Sequence, residues 1–216
     1  EGTISEQQNL RVSVTLSLVE NEPVSLWQIA VESSTPLSLA AVRFPRVPSI
    51  AAQEDEVLAV PVWMGERTSR ARELLCGESG GRFEWEYPGI LSMQCVAFYR
   101  NSGPGVYLSC DDTAALAKRF AVFGNRDKKV GFELTQLAAS ERGGAAGYRS
   151  SYHAILGTFV GDWFTVAERY RRWGLQQSWA KESRLKTGAT ADWLKGTGLW
   201  VWNRGRSPGV LGPAVA

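Results

Sequence analysis

Residues 91–110, LSMQCVAFYRNSGPGVYLSC, hold two predicted strands and the connection between them. In the first half, side chains that point to one side of the chain alternate with side chains that point to the other side. This period of two predicts a β-strand. The glycine-rich NSGPG (101–105) predicts a hairpin connection into VYLSC (106–110). The alternating residues are Leu91, Met93, Cys95, Ala97 and Tyr99. This stretch therefore predicts an antiparallel pair.

The same pattern continues in both directions along the chain. The clearest case is LRVSVTLSL (10–18), which predicts a strand with one buried and one solvated face. Segments 45–56 and 65–82 are predicted loops, the second with one helical turn in RARELL (70–75). Many strands, short turns and almost no helix before residue 160 predict a large antiparallel β-sandwich. Further predicted strands lie in residues 25–33, 35–45, 57–63, 82–87, 118–123, 129–137 and 148–159.

The period changes in GDWFTVAERYRRWGLQQSWA (161–180). Its apolar residues recur at helical spacing, which predicts an amphipathic helix with one face on the core. Asp162 is the expected N-cap, and Gly174 or the region near Trp179 the expected end. The apolar positions are Trp163, Val166, Ala167, Tyr170 and Trp173.

Three regions follow from these patterns. Residues 1–180 are predicted to form the β-sandwich domain with its C-terminal helix, and the polar residues 181–196 a linker. In TGLWVWNRGRSPGVLGPAVA (197–216), an apolar strand leads into a turn and a helix-like segment. One such unit cannot bury its own faces. We therefore expect 197–216 to be the first element of an incomplete (β/α) barrel, and the chain, which starts at Glu1, to be a piece of a longer protein.

The end of this predicted barrel strand supplies the candidate binding residues. Active sites of (β/α) barrels form at the C-terminal ends of the strands. Asn and Arg side chains there can hydrogen-bond sugar hydroxyls, and tryptophan can stack on a pyranose ring. The alternative is that Asn203 to Gly205 form an ordinary turn. The predicted substrate-binding residues are Trp200, Trp202, Asn203 and Arg204.

Composition narrows the possible partners. The 216 residues carry a net charge of +2, and the densest basic cluster, ERYRRW (168–173), lies in the predicted helix beside acidic residues. A nucleic-acid partner is therefore not expected. No apolar run approaches the roughly 20 residues of a membrane span, so no membrane partner is expected either. The location is secreted or periplasmic if a leader has been removed, and otherwise cytoplasmic. Nine tryptophans suit a large core or half-wet surfaces that stack sugars.

Paired acids are the first candidates for catalysis. Glu84 and Glu86 flank Trp85 and point to the same side of a predicted strand, as a glycosidase pair would. They lie opposite the aromatic face, so an exposed, solvated face is the favoured interpretation. Asp111 and Asp112 follow a strand, where sites are often built, but adjacent acids there are also common turn formers.

The remaining reactive side chains give weaker signals. His153 is the single histidine, and a structural or surface role is favoured because no nucleophile signature accompanies it. Cys76, Cys95 and Cys110 show no C-x-x-C spacing, and the last two are predicted to be buried free thiols. A glycine-rich phosphate loop and a metal-ligand cluster are both missing from the sequence, so no cofactor and no metal are predicted. Catalytic residues are not assigned.

Three stretches together carry a family resemblance: YPGILSMQCVAFYRNSGPGVYLSCDD (87–112), the helix at 161–180, and DWLKGTGLWVWNRG (192–205). Their order resembles the N-terminal portion of large bacterial glycoside-hydrolase-like proteins. There, a galactose-mutarotase-like super-sandwich precedes a catalytic (β/α) barrel. The resemblance covers most of residues 80–205 and implies a non-catalytic scaffold with carbohydrate as the partner of the full-length protein. The catalytic carboxylates would lie on later barrel strands, outside this chain.

Two other functions stay open. The chain can be a stand-alone carbohydrate-binding or structural β module with tryptophans as stacking platforms. It can also be an aldose epimerase-like enzyme of the same sandwich type, which in that family uses histidine as well as glutamate; a single histidine counts against it.

Overall fold

The computed structural model describes residues 10–37, 39–77, 80–101, 103–138 and 145–198. The predicted binding residues Trp200, Trp202, Asn203 and Arg204 lie outside this part of the chain. The helices are α1 (Ala71–Leu75), α2 (Trp163–Leu175), α3 (Ser178–Lys181) and α4 (Asp192–Lys195). The strands are β1 (Leu10–Leu18), β2 (Val24–Leu37), β3 (Ala41–Ile50), β4 (Glu56–Val60), β5 (Glu66–Thr68), β6 (Gly81–Tyr87), β7 (Cys95–Arg100), β8 (Gly103–Cys110), β9 (Lys118–Gly124), β10 (Val130–Leu137), β11 (Ala145–Arg149) and β12 (Ala154–Gly161).

The strands form two antiparallel sheets. The eight-stranded sheet has the order β1-β2-β12-β8-β7-β4-β5, with β11 also paired to β2. The four-stranded sheet has the order β3-β10-β9-β6. The prediction of a mainly β chain with antiparallel pairing is confirmed. The hairpin predicted from residues 91–110 is confirmed as the β7–β8 pair.

One hydrophobic core joins the two sheets. Phe98 and Leu108 of the large sheet belong to the same buried cluster as Phe120 and Phe132 of the small one. Each of these side chains is at most 1% exposed. Burial of a side chain this size contributes about 1.5–3 kcal/mol, so this cluster is a main source of stability.

The other face of the large sheet carries a second core. Cys95 and Tyr99 of β7 cluster there with Phe159 of β12 and with Val166 of α2. The helix thus covers the outer face of the sheet, as its amphipathic pattern predicts. Because β7 is buried on both faces, it reads as a continuous apolar run and not as a strict alternation.

The prediction of one buried face on β1 is wrong, because all nine of its residues are exposed. β1 is the terminal strand of the eight-stranded sheet. The four-stranded sheet covers the apolar side of β2 through Val42 and Phe44 of β3, but β1 belongs to no core cluster. The apolar row of β1 therefore extends beyond the smaller sheet.

Three local predictions also need correction. Residues 45–50, the first part of the predicted loop 45–56, belong to β3. The strand predicted at 148–159 is interrupted between β11 and β12, and His153 lies in this break, just before Ala154. The strand predicted from Leu91 begins only at Cys95, since Leu91 makes an isolated bridge to Val62.

The chain divides into two compact units, Glu1–Trp173 and Gly174–Ala216. In the second unit the short helices α3 and α4 have no buried residues. The predicted domain boundaries at 180/181 and 196/197 stay predictions. Of the described helices, none is both long and apolar enough to cross a membrane.

Candidate functional site: an aromatic groove and two polar clusters

A groove lies between the start of α2 and the strands β7, β4 and β5 at one end of the large sheet. Its volume is about 250 Å³, close to the lower end of ordinary small-molecule sites. Most of its surface is apolar. Its lining includes Trp63, Met64, Glu66, Arg67, Trp163 and Val166.

The turn between β4 and β5 presents the first tryptophan. The Val62–Leu91 bridge holds the turn, and the Trp63 N–H donates to the Ile90 carbonyl at 3.0 Å. Trp63 has φ +54° and Gly65 φ +101°, so the chain reverses sharply here. The Trp63 side chain is 63% exposed, and Met64 is fully exposed. The turn therefore directs two large apolar side chains toward solvent.

The start of α2 forms the opposite wall. Asp162 Oδ1 accepts the Phe164 N–H at 2.9 Å, which confirms Asp162 as the N-cap. Trp163 then lines the groove and stays 47% exposed, whereas Val166 is buried on the sheet. The helical spacing predicted a core position for Trp163, and this is wrong because the first helical turn lies beyond the packed face.

Among the described residues that line the groove, Glu66 supplies the one carboxylate and Arg67 the one guanidinium. Tryptophan faces beside a few polar groups suit a flat, partly apolar ligand or a partner surface. Glycosidic cleavage, by contrast, uses two carboxylates about 5–9.5 Å apart. The groove can therefore bind a ligand or a partner surface, but its described lining does not supply the two carboxylates of a glycosidase.

A buried polar cluster surrounds Lys118, which is fully buried in β9. Its Nζ donates to Asp112 Oδ2 at 2.6 Å, to Gln94 Oε1 at 3.0 Å and to the Leu116 carbonyl at 2.6 Å. An ammonium has three donors, and all three are used. Asp112 also accepts the backbone N–H groups of Ala114 and Leu116. The turn-forming alternative for Asp112 is therefore confirmed, and its charge is matched by Lys118.

A second polar pair joins Asp111 and His153. His153 Nδ1 lies 2.8 Å from Asp111 Oδ2, and the His153 N–H donates to Asp111 Oδ1 at 2.6 Å. The pair follows from strand register, since Ala154 pairs with Cys110 in the β8–β12 ladder. A carboxylate fixes the orientation of the ring. Among the described residues, no hydroxyl or thiol is hydrogen-bonded to the imidazole, so the pair has no nucleophile to activate.

The other clustered carboxylates are held by arginines. Glu84 and Glu86 lie on the exposed face of β6, as predicted, and pair with Arg82 and Arg119. Glu133 is almost fully buried, and its Oε1 lies 2.7 Å from Arg82 Nη2. Sequence reasoning missed Glu133 because its partners come from other strands. Within the described part of the chain, no three His, Cys, Asp or Glu side chains are grouped as a metal ion would require.

The two buried thiols, Cys95 and Cys110, are not activated. Cys95 and Cys110 are free and buried, as predicted, whereas Cys76 is free and partly exposed. Burial raises the pKa of the Cys95 thiol to about 12, and it raises the pKa of the Cys110 thiol further. A buried neutral thiol is a poor nucleophile.

Sequence reasoning did not single out Trp63 or Trp163 as surface residues. The available signals were the number of tryptophans and the Trp63-Met64-Gly65 turn sequence. The exposure of both residues depends on where α2 packs against the edge of the sheet, and local sequence patterns do not contain that information.

Residues 148–216 match the family described as Domain of unknown function (DUF6259). No curated protein matches the chain. Two structures of an alpha-N-acetylgalactosaminidase, NagBb from Bifidobacterium bifidum, are similar in part. The quadruple mutant shares 12% identity at a TM-score of 0.48 and covers 83% of this chain. The Gal-NHAc-DNJ complex shares 11% identity at a TM-score of 0.45 and covers 87%. The chain spans 32% and 36% of those enzyme chains, about one third of their length.

Proposed function

We propose that this chain is a non-catalytic β scaffold of a carbohydrate-active protein, equivalent to the N-terminal galactose-mutarotase-like sandwich of a glycoside hydrolase. The observation that carries the proposal is the groove, whose described lining residues include two exposed tryptophans and one carboxylate. Hydrolysis of the glycosidic bond, by paired carboxylates, then belongs to a barrel domain of the full-length protein.

The state of the other acids supports this assignment. Asp112 neutralises Lys118, Asp111 holds His153, and Glu133 is surrounded by arginines. A general acid or base must be within hydrogen-bond reach of the reacting group. These carboxylates are instead occupied in structural pairs.

The exposed groove supports a packing role. Met64 and Phe164 add to the exposed apolar surface beside the two tryptophans. Large contiguous apolar surface marks interaction sites. On this proposal the groove packs against the catalytic domain.

One observation favours a second candidate, a carbohydrate-binding module. Trp63 is held on a hydrogen-bonded turn with its indole largely in solvent, as a stacking platform would be. Here the groove would take a pyranose ring, with Glu66 and Arg67 as hydroxyl partners.

Tryptophan fluorescence and glycosidase assays on the purified chain separate these functions. The probes are a set of oligosaccharides and nitrophenyl glycosides. A scaffold shows neither turnover nor quenching by sugars. Quenching that is lost in Trp63→Ala but kept in Trp193→Ala, an exposed tryptophan outside the groove lining, would establish the binding module instead. Turnover by the chain alone would overturn both.

A further inference from the structure

The apolar row of β1 continues the interior of the large sheet, and no side chain of the described core clusters covers it. Val12, Val14 and Leu16 stand opposite Val31, Ile29 and Trp27 of β2, so they share the core-facing side of the sheet. Ile29 and Val31 are buried and cluster with Val42 of β3, and Phe44 of β3 packs against that cluster, whereas β1 belongs to no core cluster. The five apolar residues of β1 are 47–78% exposed. They are Leu10, Val12, Val14, Leu16 and Leu18.

The outer edge of β1 is also open. One edge pairs with β2 in unbroken register, and no strand among the described residues pairs with the other. Natural edge strands are protected by proline, bulges or inward-pointing charges. β1 has no proline, no bulge and a single charge, Arg11, which lies on the side opposite the apolar row. This strand therefore offers both backbone hydrogen bonds and apolar surface.

The sequence of β1 is complementary to itself in an antiparallel pair centred on Val14. In that register Leu10 faces Leu18 of the other strand, Val12 faces Leu16, and Val14 faces Val14. Apolar positions thus meet apolar positions on one face.

The polar side of β1 fits the same register. There, Arg11 faces Ser17 and Ser13 faces Thr15. The two arginines stand six residues apart along the pair, about 20 Å, so they do not repel each other.

We propose that β1 is a homodimerisation edge, at which two copies of this chain join antiparallel about a two-fold axis at Val14. The symmetry of the strand favours a second copy over a foreign strand, because one sequence satisfies both sides of the pairing. The contact is isologous and closes at two copies. The eight-stranded sheets become one continuous sheet, and the apolar row of each copy is extended by that of the other.

Charged side chains introduced at position 14, on the two-fold axis, test the proposal. Analytical ultracentrifugation of the chain should show a dimer. Val14→Lys and Val14→Glu should each be monomeric, because like charges then stand directly opposite one another. An equimolar mixture of the two variants should restore the dimer, since Lys then faces Glu. Thr15→Lys, on the polar face opposite Ser13, is the matched control and should stay dimeric.

Several results would overturn this. A monomeric wild type, dimers of both Val14 variants, monomers in the mixture, or loss of the dimer in Thr15→Lys would each exclude the Val14-centred pairing. Circular dichroism and the melting midpoint check that each variant folds. Val14 is 48% exposed, so a charged side chain at this position should leave the fold intact.

If a Val14 variant fails to fold, a second pair of variants asks the same question. Val12 faces Leu16 of the other copy, so V12K/L16E should remain dimeric and V12K/L16K should not. Equal behaviour of these two variants would exclude the register.

Discussion

Lys118 Nζ donates a 2.6 Å hydrogen bond to Asp112 Oδ2 in the interior, where both side chains are nearly inaccessible to solvent. The ammonium also lies 4.9 Å from the Tyr87 ring centroid and 4.7 Å from that of Tyr152. The charge is thus compensated by a carboxylate, by hydrogen bonds and by two ring faces. A buried pair of this kind is costly to break from one side only.

Lys118→Met should destabilise the chain by about 3–5 kcal/mol, because Asp112 is left as an uncompensated buried charge. The measurement is the free energy of unfolding from urea titration. The double variant K118M/D112N should recover part of this loss, since the charge is removed together with its partner. A double variant less stable than K118M would show that Asp112 acts mainly through its backbone hydrogen bonds.

Stability should fall as the pH rises from about 9 to about 12. Burial raises the pKa of Cys95, Tyr148 and Tyr170 to about 12, from ordinary values of 9.0 for the thiol and 10.0 for the phenols. The unfolded chain loses these protons first, so it gains stability relative to the folded state as the pH rises. Urea midpoints measured across this range check the effect. A midpoint that stays constant to pH 12 would contradict the burial of these groups.

Thiol titration should distinguish Cys76 from the other two cysteines. At a pH below 9, Cys76 should react with an aromatic disulfide reagent in the folded chain, whereas Cys95 and Cys110 should react only after denaturation. The expected count is one thiol in buffer and three in urea. Rapid reaction of all three in the folded chain would be incompatible with two closed cores.

Truncation of an aromatic side chain should lower the free energy of unfolding much more in the core than in the groove. Phe132→Ala removes a fully buried ring between the sheets and should cost about 3–5 kcal/mol. Trp63→Ala removes a largely exposed ring and should change the free energy of unfolding by no more than about 0.5 kcal/mol. Melting curves of both variants check this contrast. A large loss in Trp63→Ala would mean that the groove is part of the core.

The features predicted correctly from sequence depend on local patterns. The β7–β8 hairpin follows from two short apolar segments on either side of a glycine-rich connection, and the α2 cap follows from Asp162 at the change of period. The exposure of Glu84 and Glu86 follows from the same alternation. In each case the signal lies within about twenty consecutive residues, the scale of one hairpin or a few helical turns.

The features that were missed depend on distant strands. The exposure of β1 is decided by how far the four-stranded sheet extends, which the alternation in β1 cannot report. The pairing of His153 with Asp111 requires the β8–β12 register, and the site at Lys118 requires Gln94 from a segment 24 residues away. Trp163 obeys helical spacing but lies past the edge of the face that the sheet covers.

The pairing of β2 with β12 determines when the large sheet can form during synthesis. Ser25 Oγ donates to the Leu156 carbonyl at 3.0 Å, a contact between residues 131 positions apart. The fourth pair of the β2–β12 ladder joins Val24 to Gly157. A nascent chain therefore carries the β1–β2 hairpin without β12, the next strand of the sheet, until residues near 157 have left the ribosome. Closure over so long a loop makes folding slow, and the apolar surface of the β1–β2 hairpin stays open to aggregation throughout that interval.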